Sequence, residues 1–404
     1  QAFIFLFAPG FYFDPFKQDI SVAVLRIMFP YLSLISLVAF AGGIQNTHNK
    51  YSVPAYTPVI FNLCLIIAAI LIAPMYEMPI FVLAWGVLLA GILQLLIQIL
   101  PLWQIKRLPV PKINFKNSGL RRFLKLVAPA ILAGGIIQIN LLVDTIFASL
   151  LETGSPTWLY VSDRLIQFPM GIFAIAIGTV LLPTLSKLDL KNQKIKFIES
   201  VHKGQRFVIF IAVPSLVGLF FCAEDLISTI FYRGAFTQID VLNSSYSLMA
   251  FSFGLPFFML MKVLTPAFFA RKDTKTPMYV AMVSLLLNAS LNYYLAFILD
   301  FGHIGIALGS SIAALISVLI LEFILYKDGF IKIKNIFNRF NIMILCSSLS
   351  LILFLNFYTN LTNFMEFSQV ERFLYLSIEV IISIIIYVAV SRLILRKPIQ
   401  TLFE

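Results

Sequence analysis

Apolar residues along this chain come in long runs separated by short polar connections, and that pattern sets the reading. A bilayer core about 30 Å thick takes about twenty apolar helical residues, and backbone polar groups inside it must be satisfied within their own segment. Eleven runs meet that length: 20–40, 53–73, 80–100, 123–151, 158–185, 207–222, 248–270, 278–299, 304–326, 340–358 and 373–395. Each predicts a membrane-crossing helix. Ahead of them, residues 1–13 read as the end of a further helix, so the sequence is expected to be a fragment of a longer chain. With no basic stretch or cleavage site, this start is not read as a signal peptide. Pro30, Pro129, Pro169 and Pro256 fall inside runs, where membrane helices tolerate proline and kinks are expected.

Composition agrees with the pattern. Hydrophobic residues make up 60% and charged residues 12%, against about 45–50% and about 25% in soluble proteins. With a mean hydropathy of +0.94, there is too little polar surface for a water-soluble globule, and disorder is excluded for the same reason. The expected class is all-α and polytopic, with no soluble domain.

A net charge of +11 would suggest nucleic acid as a partner in a soluble chain, but here it reports topology, and no nucleic-acid partner is expected. One alternate set of connections carries Lys50, the basic stretch from Lys106 to Lys125, that from Lys187 to Arg206, then Arg271, Lys272 and Lys275, then Lys327 to Arg339, and finally Arg392, Arg396 and Lys397. The opposite set is acidic, with Asp14, Asp19, Glu77, Glu152, Glu224, Asp225, Asp240, Asp300, Glu366 and Glu371. Lysine and arginine accumulate in cytoplasmic loops, so the basic set and the C-terminus are expected inside. Anionic membrane lipids are a secondary partner for those loops. Around Lys194 a short amphipathic helix at the headgroup level and a solvated linker are both open, and 224–247 reads as the larger outer loop.

Cys64, Cys222 and Cys346 show no metal or disulfide spacing and read as small buried hydrophobes. His48, His202 and His303 are scattered, without a nucleophile motif, paired carboxylates or a phosphate-binding loop. No catalytic residue, metal site or resident cofactor is expected. A repeat at an offset of 226 relates Pro30, Ala41 and Asn62 to Pro256, Ala267 and Asn288, which fits two related lobes.

A charged side chain at mid-bilayer costs on the order of 3 kcal/mol, so those inside the runs need a partner, a wet cavity or a task. Arg164 heads a stripe at helical spacing with Gln167, Gly171, Ala174 and Gly178, either a cavity wall or a close-packing face. Guanidinium cannot neutralise itself and wants an oxyanion, although an internal salt bridge to Asp144 is the structural alternative. Asp163 points about 100° away. Asp144 shares a face with Asn140, and Asn288 does so with Asn292. Such oxygens suit a monovalent cation or a proton relay, while plain interhelical hydrogen bonding is the favoured account of them. Lys262 and Arg26 are candidates for a cationic cavity wall, with ion pairing inside a lobe as the alternative. Glu322 and Glu379 read as snorkelling groups or single helix contacts.

Several motifs go beyond these generalities. The run Ala41-Gly-Gly-Ile-Gln-Asn-Thr-His-Asn-Lys-Tyr-Ser-Val-Pro-Ala-Tyr-Thr-Pro-Val-Ile-Phe-Asn62 resembles the MurJ/MviN family of lipid II flippases. So do Gln138-Ile-Asn-Leu-Leu-Val-Asp-Thr-Ile, Trp158-Leu-Tyr-Val-Ser-Asp-Arg-Leu, Gly178-Thr-Val-Leu-Leu-Pro-Thr-Leu-Ser186, Phe231-Tyr-Arg-Gly-Ala-Phe-Thr and Ala270-Arg-Lys-Asp-Thr-Lys-Thr-Pro277, in the family's order. The resemblance implies two six-helix lobes and two extra C-terminal helices lining a lipid-tail groove. On that map residues 1–103 are the rest of the N-terminal lobe, 104–122 a cytoplasmic linker, 123–326 the C-terminal lobe and 327–404 the extra pair. The first two spans, where the family places several cavity arginines, would precede this sequence.

The resemblance further implies that Arg164, with Asp163 beside it, handles the diphosphate of the substrate. Gln167 stands where some members carry an acid. Asp144 falls at the aspartate of the seventh span, the best candidate for a coupling ion, with Asn288 and Asn292 as helpers. The implied activity is alternating-access transfer of lipid II, an undecaprenyl diphosphate-linked disaccharide-pentapeptide, across the bacterial inner membrane, with no bond made or broken. A cation gradient and the membrane potential both stand as driving forces, and cell-wall synthesis machinery is a candidate partner. A polysaccharide-lipid flippase or cation-coupled drug exporter of the same superfamily is the near alternative, and a polyprenyl-phosphate enzyme a distant one.

Overall fold

The structure is a computed structural model that describes residues 1–106, 135, 138–188, 192–331, 339–362 and 364–395. Those residues are mainly helical, with no strand among them, and fall into two compact units, Gln1–Val127 and Ala128–Glu404.

In the first unit, α1 (Ala2–Phe7) and α2 (Pro9–Tyr12) lead to α3 (Pro15–Thr47). Asp14 caps α3 by accepting from the N–H groups of Phe16 at 3.1 Å and Lys17 at 3.2 Å, and Pro15 occupies the first turn, where its missing N–H costs nothing. The helix continues through Pro30. Next, α4 (Ser52–Ile67) runs on through a π turn, Ala68–Ile72, and a 3-10 turn, Ala73–Met75, and α5 (Pro79–Gln104) closes the unit. Glutamines glue these helices together, because an unpaired amide in hydrocarbon is costly. Gln98 of α5 accepts from Gln45 of α3 at 3.0 Å and donates to the Val38 carbonyl at 3.1 Å, while Gln94 donates to the Thr57 carbonyl at 2.7 Å.

The second unit begins with α6 (Gln138–Leu150). It continues with α7 (Ser155–Pro169), a π turn at Met170–Ala174, α8 (Ile175–Ser186), α9 (Lys194–Phe221), α10 (Ala223–Phe231), α11 (Gln238–Ser252), α12 (Leu255–Ala270), α13 (Lys275–Tyr293) with a π turn at Tyr294–Ile298, α14 (Gly302–Lys327), α15 (Arg339–Leu361) and α16 (Gln369–Leu395). One apolar core joins α7 to α14 around side chains such as Phe197, Leu248, Met259, Phe268 and Leu321. At one end of α7, Trp158 donates to Asp240 of α11 at 2.8 Å and meets His303 of α14 edge-on, with ring centroids 4.9 Å apart. The small residues Gly305 and Gly309 draw α14 onto α13: a Cβ on Gly305 would lie 2.7 Å from the Ala296 backbone, and one on Gly309 would strike the Asn292 side chain. The pair α15 and α16 is tied by Ser347 and Ser391 at 3.0 Å, and Tyr387 donates to the Phe210 carbonyl of α9 at 2.9 Å. Arg372 of α16 is buried. It donates to the carbonyls of Phe364 at 2.7 Å, Met365 at 3.2 Å and Ser228 at 3.4 Å, and lies over the Tyr232 ring at 4.7 Å.

Among the described residues nine helical runs are long and apolar enough to cross a membrane, and α11 with α12, bent by 41°, makes a tenth. The eleventh expected run is represented by α6, and the rest of it, with Pro129, lies outside the described residues, as does nearly all of the expected linker 104–122. Large apolar side chains such as Phe168, Leu353 and Ile384 face outward, as a lipid-facing surface requires.

Three expectations need correction. The 224–247 stretch is not a loop but holds α10 and most of α11, the latter started by a reciprocal cap between Thr237 and Asp240. Lys194 starts neither a separate headgroup helix nor a solvated linker. It begins α9 itself, with Phe197 buried against Phe330. Of the expected kinks, the Pro169 end of α7 opens into a π turn, whereas Pro256 sits in the first turn of α12, just after the bend.

Candidate functional site

Three helices bring oxygen and amide groups around Asp144. Asn292 of α13 donates to Asp144 Oδ1 at 2.6 Å and to Asn288 Oδ1 at 3.1 Å. Ser310 of α14 donates to Asp144 Oδ2 at 3.4 Å and accepts from Asn288 at 2.9 Å. Helical spacing puts Asn288 and Asn292 on one face of α13, and Gly309 leaves the room that Asn292 occupies. Two carbonyl oxygens, Asn292 Oδ1 and Asn140 Oδ1, are buried without a hydrogen-bond partner. Asn140 lies one turn before Asp144 on α6. The donor set is therefore all oxygen, carries a single negative charge, and retains unused lone pairs, which fits a hard monovalent cation. Asp144 does not pair with Arg164, so the salt-bridge alternative falls. Ser310 was missed because a serine in an apolar run carries no signal unless Gly305 and Gly309 are first read as a close helix contact.

Arg164 is exposed on α7. It forms no ion pair among the described residues and lies over the Tyr160 ring, 4.6 Å from its centroid. Its neighbour Asp163 accepts from Gln167 Nε2 at 3.0 Å. That carboxylate is thereby drawn one turn along the helix and leaves the guanidinium's donors free. The small-residue stripe divides. Gly171 faces open space, whereas a Cβ on Gly178 would lie 3.2 Å from the Lys262 carbonyl, so this end is a packed contact between α8 and α12. Lys262 is exposed and, through that contact, lies about 20 Å along the α7–α8 axis from Arg164, fourteen residues on. The two cations mark different levels of the unit. Arg26 is exposed on α3 and is described within the first unit alone. Glu322 accepts from Gln205 of α9 at 2.8 Å, a helix contact, but Glu379 is fully buried, so snorkelling does not describe it. Among the described residues no group of histidine, cysteine and acidic side chains is arranged to hold a metal ion.

Membrane-length helices that bury amide and carboxylate clusters inside an apolar exterior define a multi-pass helical membrane protein with polar sites in its interior. The chain matches the family described as "Lipid II flippase MurJ" over residues 1–389. It belongs to that family. It is 38% identical over 355 residues to the probable lipid II flippase MurJ of Buchnera aphidicola subsp. Acyrthosiphon pisum, covering 88% of this chain and 69% of the relative. With the probable lipid II flippase MurJ of Vibrio cholerae it shares 40% identity, covering 78% of this chain and 59% of the relative. With the lipid II flippase MurJ of Burkholderia cenocepacia it shares 33%, over 86% and 68% respectively. The chain thus spans between about three fifths and two thirds of the length of these relatives. A solved lipid II flippase MurJ in an inward closed conformation superposes with a TM-score of 0.78 at 29% identity, covering 97% of this chain and 78% of that one.

Proposed function

We propose that this protein moves lipid II from the cytoplasmic to the periplasmic leaflet of the bacterial inner membrane by alternating access, acting as a transporter and not an enzyme. Family membership supports the substrate class, and the single observation that carries the mechanism is the free guanidinium of Arg164. A diphosphate-linked sugar-peptide head cannot cross hydrocarbon bare, so it needs a polar path with cations while its tail stays in lipid. Arg164 supplies a forked donor suited to a diphosphate. Asp163 and Gln167 hold each other and leave that fork unquenched. Lys262 and Arg26 are proposed as further cations meeting the head at other stages. The basic connections and C-terminus are assigned to the cytoplasm by their charge, and the cell-wall synthesis machinery is the candidate downstream partner.

Coupling is assigned to the Asp144 cluster. A monovalent cation bound there by Asp144, Asn292 and Asn140 favours the conformation that keeps α6, α13 and α14 together, and its release favours the other. The membrane potential acts on the same charge. The test reconstitutes the full-length protein in vesicles containing lipid II and follows lipid II exposure with an external binding reagent. Transfer should fall at least tenfold when sodium is replaced by choline, and Asp144→Asn should remove that dependence. Equal transfer in both salts overturns the coupling role, and no transfer of lipid II in any condition overturns the substrate.

A further inference from the structure

A second polar site lies where α10 meets α16, away from the Asp144 cluster. Glu379 is 0% exposed. Its Oε1 accepts from the Cys222 thiol at 3.1 Å, and its Oε2 has no partner. Asp225 of α10 is 7% exposed, and its Oδ2 is likewise unpartnered. Neither forms an ion pair among the described residues. Arg372 lies two turns before Glu379 on the same face of α16, but it is committed to the carbonyls of Phe364, Met365 and Ser228.

The contacts put the seam in order. Cys222 sits at the level of Glu379, and Ser228 with Tyr232 sits at the level of Arg372. Asp225, one turn from Cys222 and one from Ser228, falls between those levels. A third oxygen points to a ligand independently of the acids. Thr229 Oγ1 is unpartnered in a side chain 2% exposed, and helical spacing places it on the Asp225 face of α10.

Two ionised carboxylates buried together with no cation are not tolerated, so the pair must be neutralised by something it binds. Among the described residues no group of histidine, cysteine and acidic side chains is arranged to hold a metal ion, which leaves a proton as the neutralising ligand. We propose that Asp225 and Glu379 form a proton-binding site in the seam between α10 and α16, sharing one proton between two carboxyl groups. Burial, and then the negative charges of Glu379 and Glu224, push the Asp225 carboxyl up to about 8. The other ionisable groups on the packed elements are Glu224 and Tyr232 beside α10, Tyr358 on α15, Glu366 in the turn before α16, Tyr375 on α16, and Asp240 of α11, which is held by Thr237 and Trp158. Since α16 belongs to the C-terminal helix pair, the site makes that pair's attachment to α10 depend on a proton. The inference stands on the seam alone and does not rest on the transported substrate.

The test is infrared difference spectroscopy of the purified protein in phosphatidylglycerol vesicles, titrated from pH 5 to pH 10. The wild type should show a protonated-carboxyl band that is lost as pH rises. In Glu379→Gln the remaining Asp225 band should lose its proton at a lower pH than in the wild type, because one of the negative charges that raise it is gone while its burial is kept. In Asp225→Asn the neighbouring charge is gone, so the remaining band should lose its proton at a pH at least about one unit lower. That second variant keeps the test decisive if the first folds poorly. Identical spectra in the wild type and both variants overturn the site, and so does erasure of the band by sodium at constant pH, which would make it a cation site. Both outcomes are independent of lipid II transfer.

Discussion

Arg164 and Arg372 each lie over a tyrosine ring at nearly the same distance, 4.6 Å and 4.7 Å, and they differ in what they have left to give. Arg372 is buried and committed to three backbone carbonyls, so its charge is consumed by the fold. Arg164 is exposed and its neighbouring carboxylate is engaged by Gln167, so its donors stay available. An arginine beside an aromatic ring in a membrane protein is thus not a function by itself. The surrounding acceptors decide.

The largest test of that contrast is Arg372→Ala. It strands three carbonyls away from water, and thermal unfolding in detergent should show a loss of about 3 kcal/mol or more. A neutral result would mean the guanidinium is as free as that of Arg164. The seam beside Arg372 gives the next effect. The Asp225 carboxyl is raised in the folded state to about 8 from an unfolded value of about 4, so folding binds a proton within that window. Stability should therefore fall by up to several kcal/mol as pH rises from 5 to 9, and Asp225→Asn should flatten the slope in unfolding curves at the two pH values.

On the Arg164 side, Gly178→Val should cost about 2 kcal/mol by crowding the Lys262 backbone, while Gly171→Val, facing open space, should leave the unfolding temperature unchanged. Equal losses at both positions would make the stripe a packing face along its whole length. Finally, Arg164→Ala should change stability by less than about 1 kcal/mol, since only an exposed ring contact is lost. It should still slow lipid II transfer at least tenfold, about 1.4 kcal/mol. Normal transfer at normal protein levels would place Arg164 with Arg372 as a structural arginine.

The spans were legible because apolar run length is set by the bilayer, and among the described residues each membrane-length helix coincides with one of the runs. The helices hidden in 224–247 were not, since their serines and acids carry the polarity of a loop. The Thr237–Asp240 cap was the one local signal, and burial of Ser244, Ser245 and Ser247 comes only from packing. Asp144, Asn288 and Asn292 could be picked out singly by their cost in a membrane, but their meeting depends on which face of α6 turns to α13, which spacing within one helix does not encode. Asp225 falls among the outer-loop charges because it lies beyond the end of an apolar run, and Arg372 stands just before the run 373–395. Their burial follows from the α10–α16 seam, a contact between segments far apart in sequence.

The close approach at Gly305 and Gly309 has a mechanical consequence. With no side chains to act as spacers, α13 and α14 behave as one rigid plank, and Asn288, Asn292 and Ser310 travel together on it. Asp144 and Asn140 are the members of the cluster mounted elsewhere, on α6. Any stroke that opens the cluster must be delivered through α6, which makes that helix the handle by which the plank is gripped or let go.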